Sequence, residues 1–338
     1  MHSYEDIPHL DSISKEKGKS EMSLLIYAFK RILWLIPVLL CVTLILYALI
    51  DMAPGTIVDS MITDEMTQED IQMLRELHDL DKPLIYRYAK YIWGLLNGNL
   101  GNSERSGISV WGEYIHRFPR TLYLGLWSII LGVILGVPLG IFAAKHAGTI
   151  LDNLTTSFSL IGLSMPPFWL GVLLLIWFSF NLKWLPNGYD GTWKGYVLPV
   201  IAGGFAMSSA ITRQTRSAIL EVVRMDYLRT ARSKGVSEIK VTTHHTLRNA
   251  WLPIITQTGM MVGMTLAGSA IVETVYTWPG VGRLMVDAVS ARDTTMACGC
   301  IVLTSIMYVL ILLVVDIFYA LVDPRIKAMY SPVRKREG

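Results

Sequence analysis

L-Y-L-G-L-W-S-I-I-L-G-V-I-L-G-V-P-L-G-I-F-A-A, residues 122–144, contains no Asp, Glu, Lys or Arg. An α-helix rises about 1.5 Å per residue and the hydrocarbon core of a bilayer is about 30 Å thick, so about 20 apolar residues cross it. This block is long enough by itself. Five more apolar blocks lie around it, at 32–50, 154–182, 197–211, 251–275 and 297–322. The shortest, 197–211, needs helix from both flanks to span. The block at 154–182 is interrupted by Pro166-Pro167, which removes two backbone donors and predicts a kink. Such a break requires neighbouring helices or a cavity to satisfy the freed carbonyls. Of the 338 residues 52% are hydrophobic and 17% charged, and the mean hydropathy is +0.43. Soluble domains carry about 25% charge. The expected fold is therefore an all-α polytopic membrane protein with six transmembrane helices.

Lys and Arg in the loops set the expected orientation. With six spans, one side holds 1–31, 145–152, 212–250 and 323–338. It carries 19 of the 30 Lys and Arg residues; the other side carries 11. The richer side is placed in the cytoplasm with both termini, in a multi-pass cell-membrane protein. The first 22 residues are mostly polar and show no cleavable signal pattern.

Several chemistries find no support. Ion-coupled carriers put ionisable residues deep in their spans. Here Asp316 is the best candidate, Glu273 sits near a span end, and no histidine lies in a block. Gly18-Lys19-Ser20 resembles the end of a phosphate loop, but Ile13 stands where its first glycine belongs. His244-His245 are adjacent, whereas helical metal pairs use i,i+4 spacing. Cys41, Cys298 and Cys300 lie in or beside spans, and Cys298 and Cys300 read as packing residues. No nucleophile and base pair up at matched depth, so no catalytic residue, metal site or cofactor is expected.

The informative loop is 212–250. It contains D-Y-L-R-T-A-R-S-K-G at 226–235. Asp226 is an N-cap candidate, 227–234 is helix-compatible, and Gly235 suits a left-handed C′ position. Arg232 and Lys234 fall in the last turn, where cations suit the helix dipole. Ser237 is expected to cap a following helix through Val241 and Leu247. An isolated helix of about eight residues is unstable in water, so something must hold it. Tyr227, Leu228 and Ala231 supply an apolar face, and Arg229, Arg232 and Lys234 supply polar contacts. A partner protein and an anionic lipid surface fit equally well on these residues alone. Nucleic acid does not fit, because the segment is tethered between spans and lacks a core.

The run at 226–253, D-Y-L-R-T-A-R-S-K-G-V-S-E-I-K-V-T-T-H-H-T-L-R-N-A-W-L-P, resembles the EAA-type loop of binding-protein-dependent ABC importer permeases, in the form of the dipeptide, oligopeptide and nickel subgroup. The resemblance continues in E-T-V-Y-T-W-P-G-V-G-R-L at 273–284, A-R-D at 291–293 and D-I-F-Y-A-L-V-D-P-R-I at 316–326. In the first half it includes Pro54-Gly55, L-D-K-P-L at 80–84, G-N-L-G-N-S at 98–103, Pro119, Thr121, S-M-P-P-F-W at 164–169 and Trp184-Leu185-Pro186. It covers about 31–326 and is similar to the first permease subunit of such systems. Arg229-Thr230-Ala231 stands where the wider family has an acidic residue and two alanines, and Gly98-Asn99 where the subgroup often has Gly-Asp. The polar stretch before Met22 reads as a dispensable extension.

The resemblance implies a type I ABC importer permease fold with an external helical cap loop. It implies a coupling helix, made by Tyr227, Leu228, Arg229, Ala231, Arg232, Lys234 and Gly235, that seats in a separate ATPase. The implied partners are a second homologous permease, two ABC ATPase subunits and an extracytoplasmic substrate-binding protein. The implied cargo is a di- or oligopeptide, with nickel or a metal chelate as the alternative; the rival from another class is an ATP-independent ion-coupled carrier. The implied organisation is a polar tail (1–30), a first span plus external loop (31–121), a five-span core (122–322) with the coupling loop, and a basic tail (323–338).

The external loop carries two amphipathic patterns. Thr67 and Asp70 form a capping-box pair ahead of Ile71, Leu74 and Leu77; Leu84, Tyr88, Tyr91, Ile92 and Leu95 make a second face. Gly132, Gly136 and Gly140 repeat every four residues, as do Gly259, Gly263 and Ala267. Such small-residue faces let helices approach closely.

Overall fold

The computed structural model describes residues 33–62, 66–241 and 246–322. Both expected tails, Gly18-Lys19-Ser20 and His244-His245 lie outside the described residues. The elements are α1 (Leu33–Met52), α2 (Gln68–Leu77), α3 (Leu84–Leu96), α4 (Val110–Lys145), α5 (Ile150–Ser164), α6 (Pro167–Leu174), α7 (Lys194–Val223), α8 (Asp226–Ser233), α9 (Glu238–Lys240), α10 (Leu247–Val275), α11 (Val281–Ser290) and α12 (Thr294–Val322). Contacts divide the chain into two units. One is 43–304; the other takes in the described residues 33–42 and 305–322.

The membrane fold stands. α1, α4, α7 and α12 are each long and apolar enough to cross a bilayer. The Pro166-Pro167 break bends the third block by 98° between α5 and α6, which continues through π-helical turns at Leu175–Asn181. Counted as one span, this pair makes a fifth. The 251–275 block lies in α10, 29 residues and about 44 Å long.

Hydropathy undercounts two helices. α4 starts at Val110, well before residue 122, because Ser109 caps it. Glu113 and Arg117 then pair at i,i+4, and Tyr114 stacks on Phe118 at 5.5 Å. α7 runs on to Val223, so the first residues of the expected 212–250 loop belong to it.

The glycine stripe is a packing surface. A Cβ on Gly136 would lie 2.7 Å from the Ser208 carbonyl, and one on Gly140 would lie 2.6 Å from the Thr212 carbonyl. α4 and α7 are thus pressed backbone to backbone. Val137, Ile211, Ile219, Ile254 and Met261 form one buried cluster across α4, α7 and α10. A second gathers Leu124, Leu198, Val272, Tyr276 and Trp278, with the Trp278 ring edge-on to Tyr189 and Tyr196 at 4.7 and 4.6 Å.

The cap loop is helical as expected. Thr67 and Asp70 make both halves of the capping box for α2. α3 is held by Tyr88, whose hydroxyl lies 3.1 Å from Thr43 Oγ1, by ring contacts of Tyr88 and Tyr91 with Tyr47, and by the Arg87–Asp51 ion pair.

Candidate functional site

Two features of the larger unit carry functional geometry: the short helix α8 and a cavity among α4 to α7 and α10.

α8 follows α7 after Arg224 and Met225. The Met225 backbone is extended at ψ 140° and is the N-cap. Asp226 is therefore the first helical residue rather than the cap; its carboxylate sits in the positive first turn. Gly235 takes the expected left-handed conformation at φ +75°. Its amide donates to the Arg232 carbonyl at 2.9 Å, and the Val236 amide donates to the Ala231 carbonyl at 3.3 Å. These two bonds are the Schellman closure of a helix C-terminus. Arg232 Nε donates to Glu238 Oε1 at 2.7 Å and locks the following turn. That guanidinium holds the Glu238 carboxyl below its usual range. Ser237 occupies the N-cap position of α9, but its side chain makes no capping bond.

The site residues divide by environment. Leu228 is fully buried. Ala231 is half-buried. Tyr227, Arg229, Arg232, Lys234 and Gly235 are exposed. Tyr227 Oη accepts a 2.8 Å hydrogen bond from Asn249 Nδ2 near the start of α10. α8 is thus anchored through Leu228 and Tyr227 while its basic residues face outward. The buried Asp152 side chain accepts two bonds from Arg216, at 2.6 and 2.7 Å, tying α5 to the end of α7 that leads into α8.

The cavity has a volume of about 400 Å³. Its wall is mostly apolar and small: Gly125, Gly203, Ala206, Ala210, Met207 and Met261 contribute. Arg213, Gln257, Ser128, Thr265 and Ser269 add polar groups.

Residues quoted in the sequence motifs take part in two buried polar knots, the first of them at the other end of α10. Asn249 and Glu273 are 24 positions apart on that helix, so this end lies about 36 Å from α8. Glu273 is fully buried. It accepts from Thr121 Oγ1 at 2.7 Å and from the Arg283 amide at 2.9 Å, while the Val281 amide donates to Thr121 Oγ1 at 2.8 Å. Its carboxylate staples α4 to α10 and α11. In the second knot Ser103 Oγ donates to Asp293 Oδ2 at 2.5 Å, and the Glu104 amide donates to Asp293 Oδ1 at 3.2 Å. Thr295 Oγ1 donates to Glu104 Oε1 at 2.6 Å. Burial, with repulsion from Asp293 adding to it, pushes the Glu104 carboxyl up. Sequence reasoning quoted Thr121, Glu273, Ser103 and Asp293 but did not pair them. Residues up to 190 positions apart leave no spacing signal. The Asp152–Arg216 pair was missed for the same reason.

Comparison with known proteins agrees with this architecture. Residues 136–328 match the family model described as "Binding-protein-dependent transport system inner membrane component". The glutathione transport system permease protein GsiC of Salmonella paratyphi A is 40% identical over 301 residues, covering 89% of this chain and 98% of that protein. The dipeptide transport system permease protein DppB of Escherichia coli K12 is 36% identical, with the same two coverages. Two inward-facing crystal forms of the MetNI methionine ABC transporter share the fold, at TM-scores of 0.53 and 0.55 and 18% and 17% identity. Each covers 62% of this chain and 96% of theirs. With a family match over more than half its length and near-full-length relatives at 36–40% identity, the chain belongs to the inner membrane components of binding-protein-dependent transport systems.

Proposed function

We propose that this chain is the transmembrane subunit of an ATP-driven importer of short peptides, with a second permease, two ATPases and an external binding protein as its partners. The observation that carries this reading is α8. It is an eight-residue helix anchored by Leu228 and Tyr227, closed by Gly235 and exposing Arg229, Arg232 and Lys234. It joins α7 through two residues. A rigid handle built this way transmits a push from a separate protein into the helix it adjoins. The named roles of GsiC and DppB support glutathione-like or dipeptide cargo. α8 then faces the cytoplasm, with both termini on that side, and the α2–α3 cap faces outward.

The test is Gly235→Val in the complete importer. A Cβ there meets no atom of this chain within 4 Å, so within the chain the change acts through the left-handed backbone. We expect normal insertion and assembly with most of the peptide-stimulated ATP hydrolysis lost. Full uptake by this variant counts against the coupling role of α8.

A further inference from the structure

The cavity carries an electrostatic asymmetry. Among the described residues Arg213 is the one charged group lining it. Among the described residues no carboxylate pairs with it, whereas Arg216, three positions on, is held by Asp152. Arg213 is exposed, so its guanidinium is open to a ligand, and its planar fork matches a carboxylate in two-point contact. Gln257 also lines the cavity and adds an amide.

The opposite end has the complementary chemistry. Ser128 donates its hydroxyl proton to the Leu124 carbonyl at 2.9 Å, and Thr265 donates its own to the Met261 carbonyl at 2.7 Å. Both oxygens are thereby left as acceptors, suited to an ammonium or amide N–H. Ser128 sits against Gly203 of α7, where an added Cβ would lie 2.9 Å from its Oγ. Gly203 and Arg213 are ten residues apart on one helix, about 15 Å by helix rise. An extended peptide covers about 3.3–3.6 Å per residue, so this spacing takes up to about four residues. The cavity's volume of about 400 Å³ lies within the range of about 300–1,000 Å³ usual for small-ligand sites.

We infer that this cavity is a transit site for short peptides, in which Arg213 grips the free α-carboxylate at the end nearer α8 and the Ser128 and Thr265 oxygens receive the N–H groups at the other. The inference rests on the peptide-importer reading and deepens it.

The test measures equilibrium binding of trialanine and trialanine amide to the complete importer in nanodiscs, without nucleotide or binding protein. Wild type is expected to bind the acid at least tenfold more tightly than the amide. Arg213→Gln is expected to abolish that preference, and Arg213→Lys to keep part of it. Equal binding of acid and amide by wild type, no binding of either, or a preference that survives in Arg213→Gln overturns the inference. The wild-type comparison stands even if a variant fails to assemble. ATP-dependent uptake of trialanine by the wild-type importer is scored separately. Uptake without a carboxylate preference sinks the transit site alone, whereas no uptake of any peptide sinks the importer reading.

Discussion

Gly140 lies where α4 and α7 touch, with no room for a side chain. Its missing Cβ would meet Thr215 Cβ at 2.5 Å and the Thr212 carbonyl at 2.6 Å. Because backbone is among the obstacles, the helices themselves must move apart. Gly140→Val should destabilise the protein by about 1–3 kcal/mol or more, read as a lower thermal unfolding midpoint in detergent. An unchanged midpoint would show that the α4–α7 contact is loose. Glu104 makes a different prediction. Its carboxyl titrates above the ordinary glutamate value because it is buried, and Asp293 adds repulsion. The folded state therefore holds that proton more tightly than the unfolded chain. The associated stability is full below the ordinary glutamate range and is lost as pH rises through the folded value. Glu104→Gln keeps the oxygen that accepts from Thr295 and never ionises. Its unfolding midpoint should fall less than that of wild type as pH rises from acid to neutral. Parallel curves would show that the carboxyl is effectively solvated. The glycine stripe was legible in the sequence, since small residues every four positions make one face. Its partner was not, because nothing in 132–140 points to 207–215.

At the scale of elements, α8 was the most legible part of the site. Gly235 marked its end because few other residues take a left-handed turn cheaply, and the structure places the Schellman closure there. Its start was misjudged. Asp226 is a good capping residue by type, but Met225 holds the extended conformation and Asp226 enters the first turn. The lengths of α4 and α7 were underestimated for a single reason. Hydropathy reports where lipid is, whereas the helical hydrogen-bond ladder continues wherever local pairs support it, as Glu113–Arg117 do for α4. If the left-handed turn is what Gly235→Val destroys, the cost is roughly 1–2 kcal/mol of local strain. Asn tolerates that conformation better than other non-glycine residues. Gly235→Asn should therefore retain far more coupled ATP hydrolysis than Gly235→Val. Equal loss in both would mean that the glycine is needed for close approach of a partner instead.

At the scale of the whole molecule, the spans were readable because apolar length is a direct requirement of the bilayer, and the Pro166-Pro167 break was readable because proline cannot donate. The cavity and the polar knots were not, since they are assembled from residues on separate helices. Glu273 illustrates the difference. By sequence it was a carboxylate near a span end, one of the few footholds for an ion-coupled carrier. In the structure Thr121 and the Arg283 amide occupy it, and it works as a staple. The central claim is that this chain moves cargo only when α8 is driven by an ATP-consuming partner. Its most direct test is trialanine accumulation in proteoliposomes holding either this chain alone or the complete importer, with an imposed ion gradient in both. The account predicts ATP-dependent accumulation by the complete importer and none by the chain alone; accumulation by the chain alone under the gradient would contradict it.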